Sequence, residues 1–324
     1  MADDKRILAI DGGGIRGIVP AMVLAEIERR TGKPTARLFD LVAGTSTGGI
    51  LALALAKPNA HGDPEYTAER LIELYEHEGT TIFSRSVWHT LRSAGNLLEE
   101  KYPAAGLEDV LARYFGETTL AEALMPVLVT GYEIERRIPF FFKSERARAK
   151  PRYDLPMGTV ARATSAAPTY FEPALVNFEG DADYYALIDG GVYANNPGLC
   201  AYVEGVTLFG PDSEFLVVSL GTGVLTRRLP LDAAVGWGLA EWAQPILNVV
   251  FDGVSDTVDY QLRQLLPERA GRRRYYRLQV RLDEGMDDLD DASRTNLRVL
   301  KLLAEELIRD RNRELDELCE ALVR

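Results

Sequence analysis

Three short stretches of this 324-residue chain hold residue types that can do chemistry: Asp11-Gly-Gly-Gly-Ile-Arg-Gly17, Gly44-Thr-Ser-Thr-Gly48 and Asp189-Gly-Gly191. The second has the form G-x-S-x-G, in which flanking glycines let a strand and a helix approach closely while the serine sits on a strained turn with its hydroxyl exposed. A serine hydroxyl is a weak nucleophile until a base takes its proton. The usual base is histidine. The chain has three, His61, His77 and His89. All lie among polar, helix-like sequence and none follows a strand end, so each reads as a surface or packing residue. No histidine comes after position 89, whereas a serine-acid-histidine order on an α/β-hydrolase fold would place one late in the chain. Asp189 does end an apolar run, in YALIDGGVY, and a carboxylate there could reach the edge occupied by Ser46. With an ordinary pKa of about 3.9 it would need direct hydrogen bonding and a tuned environment to serve as the base. Taken alone, its Asp-Gly turn reads as an ordinary loop.

In the first stretch, Gly12, Gly14 and Gly17 satisfy G-x-G-x-x-G between a strand and a helix. A dinucleotide site would also want an acidic residue about 20 positions on, near the end of the next strand. That strand instead ends Val42-Ala43-Gly44, with Asp40 inside it. A P-loop is excluded, because neither glycine turn runs into Gly-Lys-Ser/Thr. IDGGG is also similar to the first phosphate loop of actin-like kinases, with Gly221-Thr-Gly223 as a later nucleotide loop, although the serine turn then has no task. The helix that begins at Thr47 would aim its N–H groups and positive dipole end at a developing oxyanion.

The elements that must position these residues follow from periodicity. Strands are expected over 5–10, 38–43, 127–132, 138–142 and 215–220, and helices over 18–30 and 49–56. Near-continuous apolar strands interleaved with helices indicate a mainly parallel sheet covered on both faces, with sites beyond the carboxyl ends of its strands. Both glycine turns then fall on one edge. A helix is expected over 239–266, interrupted near Pro245. A long amphipathic helix over 292–322 would bury Leu297, Leu300, Leu303, Leu307, Leu315, Leu318 and Leu322 against its own domain.

With 46% hydrophobic and 27% charged residues and no low-complexity linker, the chain reads as one globular domain with insertions, its motifs within 5–223 and a helical packing region over 224–324. The net charge of -12 argues against a nucleic-acid polymer as partner and against general affinity for anionic membranes. The basic cluster Arg269, Arg272, Arg273, Arg274, Arg277 and Arg281 reads as a solvated loop and strand edge. Trp237, Trp242, Ile246, Val250 and Phe251 are expected to pack in the core, with an acyl-chain wall or an interfacial patch as the other reading. Cys200 and Cys319 lack metal-ligand spacing and read as reduced thiols. With no signal-like amino terminus, no apolar segment of about 20 residues and no Asn-x-Ser/Thr site, a cytoplasmic location is expected; export without a cleaved signal stays open.

In this order, DGGGIRG, GTSTG and IDGG resemble the patatin-like phospholipases, acyl hydrolases whose site is similar to that of cytosolic phospholipases A. The resemblance spans roughly 5–223 and includes SAAPTYFEP from Ser165. It implies a three-layer α/β/α fold with a mainly parallel sheet. It also implies that Ser46 attacks an ester carbonyl, that Asp189 takes its proton without a histidine, and that backbone N–H groups around Gly13 and Gly14 form the oxyanion hole. Arg16 matches a basic position of that loop. Gly12, Gly17, Gly44, Gly48, Gly190 and Gly191 are the motif glycines, and Asn195-Asn196-Pro197 shapes the edge of the site. No metal or organic cofactor is implied. The resemblance implies a phospholipid or other acyl lipid as partner and leaves peripheral membrane contact and the oligomeric state open.

Overall fold

The computed structural model describes residues 4–82, 104–180, 184–226, 229–242, 245–282 and 288–324. Its centre is β1 (Lys5–Ile10), a strand with apolar residues on both faces, which is what a doubly covered parallel strand requires. The chain leaves β1 through the glycine-rich loop into α1 (Ile18–Thr31). It returns as β2 (Leu41–Gly44) and leaves again through the serine turn into α2 (Thr47–Ala56). The strands β3 (Val127–Glu133), β4 (Ile138–Lys143), β5 (Ala174–Asn177), β6 (Tyr184–Asp189), β7 (Phe215–Leu220), β8 (Val224–Leu225), β9 (Tyr275–Leu278) and β10 (Arg281–Leu282) follow. The main sheet runs β5-β6-β3-β2-β1-β7-β9, with β4 on the far side of β3. From β3 to β9 along this path all strands are parallel; β4, β5 and β6 pair antiparallel. The fold is thus α/β with a mainly parallel sheet between helical layers. The chain builds outward from β1 to β2 and β3, then crosses to β7, so the crevice at the end of β1 is the topological switch point.

One face of the sheet packs against α1, α2 and the carboxyl-terminal helices, and the other against the helices Gly198–Phe209 and Pro245–Leu265. The expected tail helix is two, Arg294–Asp310 and Asn312–Val323, broken at Arg311, where the backbone leaves helical geometry. Both pack against α1, and the Arg30 guanidinium bonds Asn312 O at 3.0 Å and Asp316 Oδ1 at 2.7 Å. Six of the seven expected leucines are buried; Leu303 is half-buried. The second strand is shorter than expected because Pro34 starts a 3-10 turn, Thr35–Arg37, and Asp40 caps the neighbouring strand by accepting the Arg6 N–H at 2.8 Å. The helices Leu239–Trp242 and Pro245–Leu265 occupy the expected span, and the expected interruption near Pro245 falls at residues 243–244, outside the described residues. His61 and His77 are exposed; His89 lies outside the described residues.

Candidate active site

The register of three strands brings the serine and the aspartate together. Along one edge β3 pairs continuously with β4, so β2 and β6 must share its other edge. They run toward each other: Gly44 at the end of β2 partners Val129, and Asp189 at the end of β6 partners Gly131. Two strand carboxyl ends therefore meet head-on across Thr130, about 7 Å apart along β3. Asp189 does arrive at the carboxyl edge of the parallel strands, but by an antiparallel strand descending onto it.

Ser46 sits at φ 55°, ψ -124°, a strained conformation for a residue with a Cβ. Buried hydroxyls hold the turn there. The Ser46 N–H donates to Thr164 Oγ1 at 2.9 Å, and Thr164 in turn donates to Thr130 O at 2.7 Å. Thr45 Oγ1 donates to Ala194 O at 2.6 Å and lies 2.7 Å from Thr130 Oγ1. Across the turn the backbone itself is the wall: a Cβ on Gly48 would overlap the Ile10 carbonyl, and one on Gly44 the Gly48 carbonyl.

Asp189 is 3% exposed, and its Oδ1 accepts the Gly191 N–H at 2.7 Å. Its own N–H donates to Ala166 O at 3.0 Å, which ties the SAAPTYFEP stretch to the site. Burial pushes the Asp189 carboxyl up to about 6, against the pull of the Ser46 hydroxyl and the Gly191 N–H. This supplies the tuned environment that a carboxylate needs to act as a base near neutral pH. Gly190 fits tightly over Thr130, where any Cβ would collide with the threonine side chain.

The glycine-rich loop faces this pair. Among the described residues, the N–H groups of Gly13 and Gly14 have no hydrogen-bond acceptor. Gly14 has φ 56°, which only glycine adopts without strain. Late-chain residues fix the loop. The Gly12 N–H donates to Asn195 O at 3.0 Å, Thr222 Oγ1 donates to Gly12 O at 2.6 Å, and the Ile15 N–H donates to Leu289 O at 2.9 Å. Arg16 is buried and its Nε donates to Gly13 O at 3.3 Å, bracing the loop. Gly17 packs where Thr47 Oγ1 meets Tyr75 OH at 2.6 Å.

The basic cluster departs from expectation at one residue. Arg269, Arg273 and Arg274 pair with Glu214 or Glu314 toward the surface, but Arg277 is buried. Register explains it: Ala9, Ser219 and Arg277 form one row across β1, β7 and β9, and Asp11 lies two residues beyond Ala9 on the same face. The Arg277 guanidinium grips Asp11 at 2.9 and 2.6 Å and also donates to Ser219 Oγ at 2.8 Å. Burial alone would lower the Arg277 pKa, but Asp11 raises it further, so the guanidinium stays charged. This occupancy weighs against the kinase reading: Asp11 is committed to Arg277 and Thr222 to Gly12, which leaves neither facing a phosphate.

An apolar pocket opens on Ser46, Asp189, Gly13 and Gly14. Ile15, Ile50, Leu74, Tyr75, Leu107 and Phe171 line its depth. Phe251 also lines it, and Trp242 and Ile246 are exposed while Trp237 and Val250 are half-buried, so the expected core packing of this group is not what forms. Asn195 shapes the edge as expected, and Asn196 Oδ1 accepts the Gly198 N–H at 2.9 Å. Thr130, Thr164, Thr222, Arg277 and Leu289 escape sequence reasoning, since single residues far apart form no spacing pattern.

The family model for patatin-like phospholipase matches residues 8–199. Patatin-like protein 4 of Arabidopsis thaliana is 32% identical over 333 residues, covering 93% of this chain and 82% of that protein. A Solanum tuberosum relative named "Probable inactive patatin-3-Kuras 1" is 31% identical, covering 94% of this chain and 86% of its own length. Among solved structures, VipD from Legionella pneumophila aligns over 94% of this chain and 67% of its own, at 13% identity and a TM-score of 0.40.

Proposed function

This chain belongs to the patatin-like phospholipase family, and from that premise we propose that it is a serine hydrolase that cleaves fatty acyl esters of glycerolipids through a Ser46–Asp189 dyad. The observation that carries this reading is the meeting of Ser46 on a strained turn with a buried, upshifted Asp189 at the mouth of an apolar cavity. Asp189 takes the Ser46 proton as Oγ attacks the ester carbonyl. The negative charge on the tetrahedral oxygen falls to the N–H groups of Gly13 and Gly14, which have no competing acceptor among the described residues. Collapse expels the alcohol, which leaves with the proton from Asp189, and Ser46 keeps the acyl group. Water then gives its proton to Asp189, attacks the acyl-enzyme and releases the fatty acid, and the proton returns to Ser46. The apolar depth of the cavity suits an acyl chain.

The test is mass-spectrometric product analysis of the wild type and Ser46→Ala against mixed phospholipids, with fluorophosphonate labelling alongside. Free fatty acid and lysolipid should form only with the wild type, and Ser46→Ala should lose at least about 10³-fold in activity. Full activity in Ser46→Ala overturns the mechanism. An unlabelled, inactive but folded wild type favours a non-catalytic protein that keeps the fold.

A further inference from the structure

The helix Pro245–Leu265 opens with PILNVVF, apolar but for Asn248. Leu247 and Phe251, one turn apart, face inward. Phe251 lines the cavity, and Leu247 lines a recess that shares Ala167, Tyr170, Phe251 and Leu289 with it. Ile246 and Val249 point outward, 42% and 44% exposed. A helix turn this apolar needs cover on most of its sides, and here Ile246 and Val249 lack it among the described residues. The exposure continues upstream, where Leu231 is 79% and Val235 76% exposed, with Leu229 and Trp242 also open to solvent. Trp237 and Trp242 stack edge to face with centroids 5.1 Å apart. Single exposed apolar residues are ordinary, but a contiguous run of them marks an interaction surface.

Charge narrows the occupant. Arg227 and Arg228 stand just before Leu229, but no lysine or arginine occurs from residue 229 to residue 262, Asp232 and Glu241 lie within the patch, and the chain carries a net charge of -12. The balance disfavours an anionic partner. The patch also continues into the cavity wall through Leu247 and Phe251, so an acyl chain leaving a lipid leaflet could pass along apolar surface without crossing water. A second copy seated on this face would instead cover that route. We propose that Leu229, Leu231, Val235, Trp242, Ile246 and Val249 form a docking face that seats the cavity on a net-neutral phospholipid surface, held by apolar insertion and the tryptophan pair rather than by charge. The choice of lipid rests on the hydrolase reading above.

The test uses the full chain as Ser46→Ala, to silence chemistry, with phosphatidylcholine vesicles in a sedimentation assay, comparing it with the same protein carrying Leu231→Asp and Val235→Asp. The parent should bind equally at low and high salt, and phosphatidylglycerol in the vesicles should not strengthen binding. The double substitution should weaken binding about tenfold or more. On a Ser46 background it should hydrolyse a water-soluble short-chain ester at the wild-type rate while losing activity on vesicles. Equal vesicle binding by both proteins overturns the proposal. So does binding that needs anionic lipid and vanishes with salt, or a concentration-dependent dimer, broken by the double substitution, in a parent that ignores vesicles. If the wild type cleaves no ester but the vesicle results hold, the hydrolase reading fails and the docking face stands.

Discussion

The two glycine turns after β1 and β2 share one plan, strand, tight turn and helix, yet they are held in different ways. The serine turn is closed by backbone: Gly48 packs on the Ile10 carbonyl, Gly44 on the Gly48 carbonyl, and buried threonines lock the rest. The loop after β1 is open on its own and is held by side chains and carbonyls from residues 195 to 289, chiefly Asn195, Thr222, Arg277 and Leu289. The difference fits what each must present. A side-chain nucleophile needs a turn that cannot relax, whereas N–H donors need only their peptide planes aimed, which distant braces can do.

The contrast is sharpest where the backbone is the obstacle. Gly48→Val should leave no folded protein, since neither the Ile10 carbonyl nor the β1–β2 pairing can move aside, and the strain would consume a domain's whole stability of about 5–15 kcal/mol. Circular dichroism and solubility check this. A folded Gly48→Val protein would show that the closure is softer than its packing implies.

The brace of the other turn is next in size. Arg277→Met leaves Asp11 buried and unpaired, and should cost about 3–5 kcal/mol in urea unfolding. Adding Asp11→Leu should recover most of that loss, because an apolar pair has no charge to desolvate. Hydrolysis should stay impaired in the recovered protein if Arg277 and Asp11 also aim the loop.

These braces were the least legible part of the site. DGGG, GTSTG and Asp189-Gly-Gly are local, because a tight turn writes its steric needs into neighbouring residues. Arg277 lay in an arginine-rich stretch that reads as solvated, and only the row Ala9–Ser219–Arg277 across three strands turns it inward. Strand pairing of this kind has no signature in one sequence. The antiparallel approach of β6 was hidden for the same reason: the apolar run before Asp189 marks a strand but not its direction. The break at Arg311 escaped because the leucine spacing continues through it. Trp237, Trp242, Ile246, Val250 and Phe251 read as core because composition alone cannot say which apolar residues find cover.

The dyad carries a cost of its own that separates it from the loop. The Asp189 pKa is about 6 when folded against about 3.9 for the free side chain, so the native state holds the proton more tightly than the unfolded chain does. That contribution to stability is fully present below about pH 4 and is lost as pH rises through about 6. Asp189→Asn should therefore gain about 3 kcal/mol relative to the wild type between pH 4 and pH 7.5, while losing hydrolysis throughout. The wild-type rate should rise with pH through about 6 and level off. Chemical denaturation of both proteins at the two pH values checks the stability, and a flat difference would show that Asp189 is solvated.

The smallest effect distinguishes the two turns most directly. A Cβ on Gly13 would collide with the Thr222 side chain, not with backbone, and its φ of 163° lies outside the left-handed region reserved for glycine. Gly13→Ala should cost about 2 kcal/mol as Thr222 is displaced and its bond to Gly12 O is broken. Removing the obstacle as Gly13→Ala/Thr222→Gly should return about half of that, the lost hydrogen bond and the added glycine freedom keeping the remainder. No side-chain change can rescue Gly48→Val in this way. Urea midpoints of the wild type, the two single variants and the double variant form a closed cycle, and a double variant no better than Gly13→Ala would mean that backbone closes this turn too.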